Sequence, residues 1–580
     1  MPNLSRAGIA ATPCGGADDS PVSPGPAREK TGKVALPVPL SLIICVILAA
    51  LSLSCRQDSP SPPRPKLVVL IVVDQLRADL LDRYDTILKG GFRRLRDEGY
   101  RFSRATVDHA VTLTAPGLVT LATGTHPSRH GIVDAFFYEG PSGSRRLVAA
   151  LADESEPIFE GRGEPGVSPR RILERTLPEW LAASDPAARV VVLGSGETSA
   201  AYLAGAFRGD VFWYSPAAGG YVTSAYYRKE APQYLKSFQR EKLPRLQEES
   251  NPWVEQVPDE GKAMAFPDMM SFEADGIHVV FPHRMESESA PEGAAGGAGL
   301  GGWLARTPDL DKATLQLAGG AVEALGMGKR EGTDLLLLEL SQVEAIGRRF
   351  GPFSLEQLDG LLKLDRELGS FLSLLERQAG GGGVLVALTS SHGVANVPEH
   401  ERERGRAGRR LSVEQARAAL DAMHRAAPGP GAARPSRDEQ EALGRLDFIA
   451  EAMTPEILTG GETCDEFTSL YRNSYRADRV PAFPFSAMAE EGVGSEGIVV
   501  RLTRETLVGS DAAAGGSPYE YDRWVPLIFW GAGIPRGMSD QRVRTVDLAP
   551  TLGWLAGVPV PPGRDGRPLR EVLSGIPAVR

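Results

Sequence analysis

One apolar run that stops at a carboxylate constrains the fold of this chain more than any other feature. Residues 67–73 are all aliphatic, and Asp74 follows them directly. Because an unbroken run of this kind suits a strand that is buried on both faces, we predict a strand of a parallel sheet. Ligands of open α/β sheets bind beyond the carboxyl ends of the strands, so Asp74 can point into a crevice. An Asp that merely caps the next helix is the alternative.

Two more apolar runs extend this pattern into an α/β fold. Residues 334–340 and 384–388 predict buried strands, and the leucine spacing over 355–378 predicts a helix between them. The helix opens with a capping box, Ser354 with Gln357, and it stops in four consecutive glycines. A strand, a helix and a strand with polar residues at the strand ends are typical of a parallel α/β sheet.

The composition allows a large core and argues against a nucleic-acid partner. The 580 residues are 42% hydrophobic, and the formal net charge is −10. Nucleic-acid phosphates recruit clustered Lys and Arg, so this acidic chain is not expected to bind them. Cys464 is the only Cys after residue 55, which excludes a disulfide within the domain that follows. Two long tracts, 136–327 and 400–479, lack the sheet pattern apart from a candidate strand at 189–193, and we interpret them as insertions that form a cap.

The first 65 residues predict export and attachment to a membrane. Residues 1–33 are rich in Pro, Gly, Ala and Ser and are expected to be disordered, whereas the uncharged run 34–55 has the character of an export signal. Cys55 at its end resembles the lipid-bearing Cys of a bacterial lipoprotein, and an uncleaved anchor helix is the alternative. The Ser/Pro spacer 56–65 would hold the domain 66–580 away from the membrane, on the periplasmic side or outer surface of the envelope.

A hydroxyl residue at a predicted helix start is a second candidate site residue. Thr114 precedes Ala115 and Pro116, where Pro suits the first turn of a helix and Thr is a good cap. The free N–H groups and the dipole of a helix N-terminus favour an anion, so a phosphate can bind beside this hydroxyl. A plain N-cap Thr explains the same residues.

Several motifs follow one another along the chain: IVVDQLRAD, GGFRRL, LTAPG with TGTHPSRHGI, LSQVEAIGRRFGP with LDRELG, LTSSHGVANVP, YEYDRWVPLIFWGAGI and VDLAPTL. In this order they resemble the alkaline phosphatase superfamily, in particular its type I phosphodiesterase and phosphate-irrepressible alkaline phosphatase branch. The resemblance implies an α/β three-layer sandwich with a mostly parallel central sheet and a cap formed by insertions. It also implies a phosphate ester hydrolase in which two zinc ions and a Thr or Ser nucleophile act at the strand ends.

The resemblance assigns roles to a few positions of this chain. Asp74 and Thr114 match the first metal-binding Asp and the nucleophile of the family, and His392 matches a metal-binding His. Ser391 stands where the family has a metal-binding Asp, and a Ser hydroxyl is a poor zinc ligand. Three of the expected groups are therefore kept on one side of the site.

The ligands of the second zinc are largely substituted. Glu344 and Arg348 stand where the family has an Asp and a His. Glu can coordinate a metal, whereas the guanidinium of Arg stays protonated and has no lone pair to offer. The segment that carries the last zinc-binding His of the family is Gly-Gly-Ser at 515–517, and no His follows His424 in the sequence.

The groups that bind the substrate's phosphate are also missing. The Lys and Arg that the phosphatase branch places after the strand at 189–193 fall at Gly196, Glu197 and Thr198, and its Asn falls near Asp134 and Ala135. A carboxylate close to the nucleophile would repel a phosphate. His109 and His126 are candidates for replacement metal ligands. His130 and Asp547 are interpreted as structural residues. Trp524 stands where relatives often carry a His.

These substitutions predict that the site binds at most one zinc ion and that it binds this ion weakly. A unit charge about 4 Å from another is worth roughly 4 kcal/mol at an effective dielectric near 20, so Arg348 beside a dication would cost on the order of 8 kcal/mol. Arg348 can instead take the place of the second zinc and bind an anion through its planar fork.

Three functions from different classes stay open. The first is an exported, membrane-tethered protein with a degraded bimetal site, inactive or weakly active, that binds an anion. The second is an active phosphatase or phosphodiesterase that uses Thr114 as nucleophile and one metal on Asp74, His392 and Glu344. The third is a structural envelope protein whose pocket has no role.

Overall fold

The fold is taken from a computed structural model that describes residues 64–573, apart from 142–143, 160, 162, 289–298, 417, 419–439, 442, 461–464 and 482–498. The predicted tail, the export signal with Cys55, most of the Ser/Pro spacer, and Cys464 lie outside the described residues. In the described part of the chain, no helix is both long enough and apolar enough to cross a membrane. Export and tethering therefore stay predictions.

Ten strands form the main sheet of the domain. The described strands, numbered in chain order, are β1 (Leu67–Val73), β2 (Tyr100–Thr106), β3 (Phe136–Glu139), β4 (Arg146–Ala149), β5 (Ile158–Phe159), β6 (Val190–Gly194), β7 (Asp210–Ser215), β8 (Gly220–Ser224), β9 (Asp334–Leu340), β10 (Val384–Thr389), β11 (Arg409–Leu411), β12 (Ile449–Met453), β13 (Arg479–Pro481), β14 (Val499–Leu502), β15 (Thr506–Val508), β16 (Leu527–Gly531) and β17 (Gly537–Arg544). Their order in the main sheet is β17-β2-β16-β10-β1-β9-β6-β7-β8-β5. The central run from β10 to β7 is entirely parallel, and β16 and β8 are antiparallel to their neighbours.

The described helices surround this sheet. They are Ala78–Arg83, Gly91–Glu98, Thr114–Thr123, Pro127–His130, Leu177–Ser184, Ser199–Ala204, Gln233–Glu241, Leu243–Glu249, Asp259–Lys262, Leu300–Leu304, Asp309–Leu325, Gln342–Phe350, Leu355–Ala379, Pro398–Glu403, Pro455–Thr459, Glu466–Ser474, Glu520–Arg523 and Leu548–Ala556. The helix Leu548–Ala556 has Pro550 in its first turn, where the missing N–H of a Pro is tolerated.

Strand β1 lies at the centre of the core. It pairs in register with β10 on one side and β9 on the other, and all seven of its residues are buried. Because side chains alternate along a strand, Leu67, Val69, Ile71 and Val73 join one hydrophobic cluster, with residues of the helices Asp309–Leu325 and Leu355–Ala379. The intervening residues of β1 join a second cluster, with residues of the helices Thr114–Thr123 and Leu548–Ala556. The predicted three-layer sandwich with a mostly parallel sheet is confirmed.

The βαβ unit predicted from the sequence is present. The helix Leu355–Ala379 joins β9 to β10, and the hydroxyl of Ser354 accepts the backbone N–H of Gln357 at 3.0 Å. The helix ends at Gly380, whose φ of +79° is a conformation that favours glycine. The last apolar strand, β16, begins at Leu527, because Pro526 before it has no N–H to give to a ladder.

Four strands of the tract 136–327 belong to the main sheet, so the interpretation of this tract as a cap stays a prediction for its remainder only. Strand β6 lies beside β9, where the candidate strand at 189–193 was predicted, and β7, β8 and β5 extend the main sheet beyond it. Strands β7 and β8 are six and five residues long and mix aromatic with polar residues, and β5 has two residues, so none of these three gives a long apolar run. In the described part of the tract 400–479, β11 and β12 pair with β15 and β14 in two small sheets outside the main one.

Candidate metal and phosphate-ester site

The site lies at the carboxyl ends of the three central strands. Asp74 follows β1, Ser341 follows β9, and His392 follows β10 after two serines. Gln75, directly after Asp74, has a φ of +62°, a conformation that is unfavourable for a residue with a side chain. Such residues concentrate at functional sites, where the surrounding structure enforces them.

Thr114 is positioned by the N-terminus of a helix that packs against one face of the main sheet. The helix Thr114–Thr123 includes Thr114 itself, and Leu113 is the residue at the N-cap position. The hydroxyl of Thr114 donates to Glu344 Oε2 at 3.3 Å and lies 3.5 Å from His392 Nε2. The expectation that Thr114 serves as a plain N-cap is wrong, because its hydroxyl points to the site and makes no capping bond.

Three side chains converge on one point beside this hydroxyl. One ligand atom from each of Asp74, Glu344 and His392 lies within 4.8 Å of the other two, the arrangement that a bound metal ion requires. Among the described residues, this is the one group of three or more His, Cys, Asp or Glu side chains with such geometry. The matched positions Asp74 and His392 and the substituted position Glu344 are therefore neighbours.

The protonation and bonding of these groups suit a cation. The ring Nδ1–H of His392 donates to the carbonyl of Gly393 at 2.6 Å, which leaves the Nε2 lone pair directed at the site, 3.7 Å from Asp74 Oδ1. Burial lowers the pKa of His392, so the ring is neutral near pH 7. Asp74 Oδ2 is buried and has no hydrogen-bond partner in the described structure. A buried oxygen without a partner is costly, and a metal ion would satisfy it.

The charges around Asp74 lead to the same conclusion. Burial, followed by the neighbouring charges of Glu344 and Glu339, raises the pKa of Asp74 well above its ordinary value. The hydroxyl of Ser391 donates to Asp74 Oδ1 and so occupies one lone pair of the carboxylate. Ser391 thus acts as a hydrogen-bond donor where the resemblance places a metal-binding carboxylate, and a cation would relieve the repulsion between the remaining acids.

Arg348 lies at the edge of the site and is engaged in ion pairs. Its Nε and Nη2 atoms donate to Asp511 Oδ2 at 2.9 and 2.7 Å, and Nη1 lies 3.6 Å from Glu344 Oε1. Its side chain is 49% exposed, so solvent screens these pairs. Two carboxylates already share the guanidinium charge, which leaves less of it for an anion. The anion-binding role predicted for Arg348 stays a prediction.

The position of the last zinc-binding His is closed by close packing. A Cβ atom added to Gly515 would lie 2.8 Å from His392 Nδ1 and 2.8 Å from the carbonyl oxygen of Thr112. Contacts this short require the neighbouring backbone to move. Arg348 and Gly515 stand where the resemblance places two further ligands, and the described residues bring together ligand atoms for one metal ion, from Asp74, Glu344 and His392.

A pocket of about 490 Å³ is lined by Asp74, Thr114, Glu344 and Arg348. Residues 196–199 and side chains from the tract 136–327 line the same pocket. The segment that carries Lys and Arg in the phosphatase branch is thus at the pocket, and Gly196, Glu197 and Thr198 supply no positive charge there.

Comparison with known proteins gives the family of this chain. Residues 68–481 match the type I phosphodiesterase / nucleotide pyrophosphatase family. The chain belongs to this family. Its relatives include alkaline phosphatase PafA of Elizabethkingia meningoseptica, 28% identical over 540 residues that cover 89% of this chain and 96% of PafA. Alkaline phosphatase PhoK of Sphingomonas sp is 29% identical over 550 residues, or 88% and 92% of the two chains.

The solved structure of wild-type PafA has the same fold as this family member. The two align with a TM-score of 0.75 and 25% identity, over 88% of this chain and 99% of PafA. The superfamily and branch predicted from the sequence are confirmed, and the chemistry of the family's named relatives is phosphate-ester hydrolysis.

One buried acid of this phosphodiesterase-family site, Glu339, was not predicted, and neither was Asp311, a second buried acid close to it. Glu339, in β9, is fully buried and accepts Gly196 N–H at 2.9 Å and the hydroxyl of Ser199 at 2.6 Å, while its Oε1 atom has no partner. Burial raises the pKa of Glu339 to about 7 and that of Asp311 to about 8. A Glu inside the apolar run DLLLLEL was the one signal in the sequence, since buried strands seldom carry an unpaired acid.

The other candidate residues lie apart from the metal group. His126 pairs with Asp108 at 2.8 Å and Asp565 at 3.3 Å, and His109 is buried without a hydrogen-bond partner in the described structure. Neither belongs to the group of converging ligands in the described structure, so a role for them as replacement ligands stays a prediction. The remaining residues have structural contacts: His130 with Thr120, Asp547 with Arg544 and Arg567, Asp134 with the N–H of Ala135, and Trp524 with the carbonyl of Ser103.

Proposed function

We propose that this protein is an exported phosphate-ester hydrolase that uses Thr114 as its nucleophile and one metal ion, and that it is slower than enzymes with two metals. The convergence of Asp74, Glu344 and His392 beside the Thr114 hydroxyl is the observation that supports this most strongly. A degraded fold that had lost all chemistry would have no reason to keep these groups together.

The residues of the site have distinct roles in this proposal. Thr114 Oγ1 attacks phosphorus, and Glu344, which accepts its hydrogen bond at 3.3 Å, takes the proton. Asp74, Glu344 and the Nε2 atom of His392 would hold the metal, whose Lewis acidity lowers the cost of charge on the phosphoryl oxygens. Ser391 and the carbonyl of Gly393 keep Asp74 and His392 in these orientations.

We expect a low rate because the second metal ion of two-metal enzymes is absent from the proposed site. Most of the acceleration of phosphoryl transfer comes from positioning and charge stabilisation, and a second metal supplies much of both in two-metal enzymes. Arg348 offers a single positive charge at that place, and it shares this charge with Asp511. An inactive anion-binding protein is the second candidate, favoured by the position of Arg348 at the pocket.

Rates with p-nitrophenyl phosphate and bis(p-nitrophenyl) phosphate test the proposal. The domain from Lys66 to Arg580, supplied with Zn²⁺, Mn²⁺ or Mg²⁺, should hydrolyse at least one of them. Thr114→Ala should abolish that rate, whereas Thr114→Ser, which keeps a hydroxyl, should retain part of it. Equal rates for the unmodified domain and Thr114→Ala would favour the inactive protein.

We further propose that the domain is tethered to a membrane through Cys55. Support comes from the uncharged run 34–55 and the Ser/Pro spacer that follows it. A hydrolase at the cell envelope acts on esters that reach it from outside the cytoplasm.

A further inference from the structure

Two loops carry Asp74 and His392, and hydrogen bonds join these loops at points outside the group of metal ligands. Asp74 begins the loop after β1, and His392 lies in the loop after β10. The buried hydroxyl of Ser390 accepts the backbone N–H of Leu76 at 3.0 Å and donates to the carbonyl of His392 at 2.6 Å. One side chain therefore fixes the backbone of both loops beside the ligands.

Arg77 makes a second connection between the two loops. From the loop after β1, its Nη1 atom donates to Asn396 Oδ1 at 2.6 Å and to the carbonyl of Val394 at 3.2 Å, both in the loop after β10. The other side of its guanidinium donates two hydrogen bonds to Asp79, at 2.9 and 2.6 Å. The Cζ atom of Arg77 lies 5.0 Å from the ring centre of Phe353. The side chain is only 11% exposed, so water competes little for these bonds.

Gln75 lies between Asp74 and Leu76 and has a strained backbone. Its φ of +62° is unfavourable for a residue with a side chain, and its buried amide group has no hydrogen-bond partner among the described residues that would compensate. Strain of this kind persists where the surrounding structure enforces it. The contacts of Ser390 with Leu76 and of Arg77 with Asn396 come directly after Gln75 in the chain, where they hold the loop in this conformation.

We infer that Ser390 and Arg77 are positioning residues, which keep Asp74 and His392 at the separation that a metal ion requires and so raise the affinity of the site for it. The inference rests on the metal site of the proposed function and adds to it two residues outside the group of ligands. Asp74 Oδ1 lies 3.7 Å from His392 Nε2. If the loops were free, metal binding would have to order them, and the lost conformational entropy would weaken it.

The charge of Arg77 makes the direction of the effect informative. If Arg77 acted on the site through its charge alone, Arg77→Gln would favour a cation, because a positive charge repels a metal ion. If Arg77 acts by holding the loops together, Arg77→Gln weakens metal binding instead. The two effects have opposite signs, so the direction of the change identifies the role.

The dissociation constant of Zn²⁺ is the quantity to measure, by competition with a fluorescent chelator on the full chain. Thermal unfolding of the metal-free proteins is measured beside it. Arg77→Gln should bind Zn²⁺ at least tenfold more weakly than the unmodified protein. Ser390→Ala and Asn396→Ala each remove a bond between the loops and leave the charge of Arg77 in place, and each should weaken Zn²⁺ binding at least threefold. These two variants also carry the test if Arg77→Gln does not fold.

Arg330→Gln is the matched control. Arg330 pairs with Asp185 at 2.7 Å, its side chain is 21% exposed, and it lies before β9, at the end of the strands opposite to the metal ligands. Like Arg77→Gln, this substitution removes a partly buried ion pair of an arginine. It should lower the Tm and leave the dissociation constant of Zn²⁺ within twofold of the unmodified protein. An equal loss of affinity in Arg330→Gln would show that Zn²⁺ binding merely follows overall stability, and it would overturn the inference.

Rates at saturating Zn²⁺ add a second readout. Because a positioning residue of the metal site affects the rate through metal occupancy, the Thr114-dependent rate of Arg77→Gln should return to at least half that of the unmodified protein when Zn²⁺ saturates both. A rate that stays lower at saturation would contradict a role through the metal.

The same measurements separate this inference from the proposed function. If Zn²⁺ binding weakens as expected while the unmodified protein hydrolyses no phosphate ester, the hydrolase proposal is wrong and the positioning role stands. If the unmodified protein hydrolyses esters through Thr114 while the Arg77, Ser390 and Asn396 variants bind Zn²⁺ as tightly as it does or more tightly, the hydrolase stands and the positioning role is wrong. An unmodified protein that binds no Zn²⁺ would overturn both.

Discussion

At the scale of single residues, we propose that Ser391 and Arg348 limit the number of metal ions that the site can hold. Ser391 gives Asp74 a hydrogen bond in place of a second carboxylate for the metal, and Arg348 brings a positive charge to the place of the second ion. Neither change disturbs the fold, because both side chains have partners in the structure. The proposed absence of a second metal ion is therefore compatible with the fold of this chain.

Restoring those two residues should restore metal binding. In the double variant Arg348→His with Ser391→Asp, the site gains two ligands and loses a nearby positive charge, so zinc content after dialysis should rise above that of the unmodified domain. Elemental analysis measures the content. The conservative pair Arg348→Lys with Ser391→Thr is the control and should leave it unchanged, and a double variant with no more zinc than this control would contradict the assignment of these positions.

His126 gives a prediction about stability against pH. Burial alone would lower the pKa of His126, but its bonds with Asp108 and Asp565 outweigh burial and raise it from 6.5 to about 9, even though Arg544 and His109 lie close to Asp108. A raised pKa in the folded state adds stability that is fully present below pH 6.5 and is lost as the pH rises through 9.

The unmodified domain should therefore lose more stability between pH 6.5 and 9 than His126→Gln does. The shift corresponds to roughly 3 kcal/mol as an upper limit. Urea denaturation at pH 6, 7.5 and 9 measures the difference between the two proteins. Parallel pH profiles would show that the ion pairs of His126 add nothing to the free energy of unfolding.

At the scale of elements, the close contact between the helices Gly91–Glu98 and Leu355–Ala379 depends on the glycine at position 91. A Cβ atom on Gly91, at the start of the helix Gly91–Glu98, would lie 2.3 Å from Leu368 Cβ and 2.7 Å from the amide nitrogen of Gly369. By contrast, a Cβ on Gly320, inside the helix Asp309–Leu325, would have no neighbour within 4 Å. The two positions allow the same substitution to act in opposite directions.

Gly91→Ala should destabilise the domain by about 1–3 kcal/mol, because the helices must separate. Gly320→Ala should stabilise it by up to about 1 kcal/mol, because Ala loses less conformational entropy in a helix. Thermal unfolding of both variants gives the comparison. A Tm for Gly91→Ala equal to or above that of Gly320→Ala would show that the helix contact is looser than the structure has it.

The sequence predicts those elements whose apolar pattern is continuous. Strands β1 and β10 are apolar runs, and β9 is one apart from Asp334 and Glu339. The polar residues that follow these strands are neighbours, because parallel strands end at one edge. Strands β7 and β8 escape prediction because they are short and mixed in polarity. The pair of Arg348 with Asp511 joins residues 163 positions apart, and no local pattern predicts such a contact.

At the scale of the whole molecule, we propose that a one-metal hydrolase domain is attached to the cell envelope through an anchor at Cys55. Replacing Cys55 by Ala in the full chain should abolish incorporation of a labelled fatty acid and release the protein from the membrane fraction. Cys45→Ala, a Cys inside the same apolar run, is the control and should still be labelled. Lipid on the Cys55→Ala protein, or a cytosolic unmodified protein, would rule out this anchor.

The number of metal ions needed for activity distinguishes a one-metal site from a two-metal site. The domain, freed of metal by a chelator, is titrated with Zn²⁺ or Mn²⁺ while hydrolysis of bis(p-nitrophenyl) phosphate and bound metal are measured together, with Thr114→Ala as the blank. We predict that the Thr114-dependent rate rises in proportion to bound metal and stops at one ion per chain. A rate that needs two tightly held ions, or that is the same with none, would contradict it.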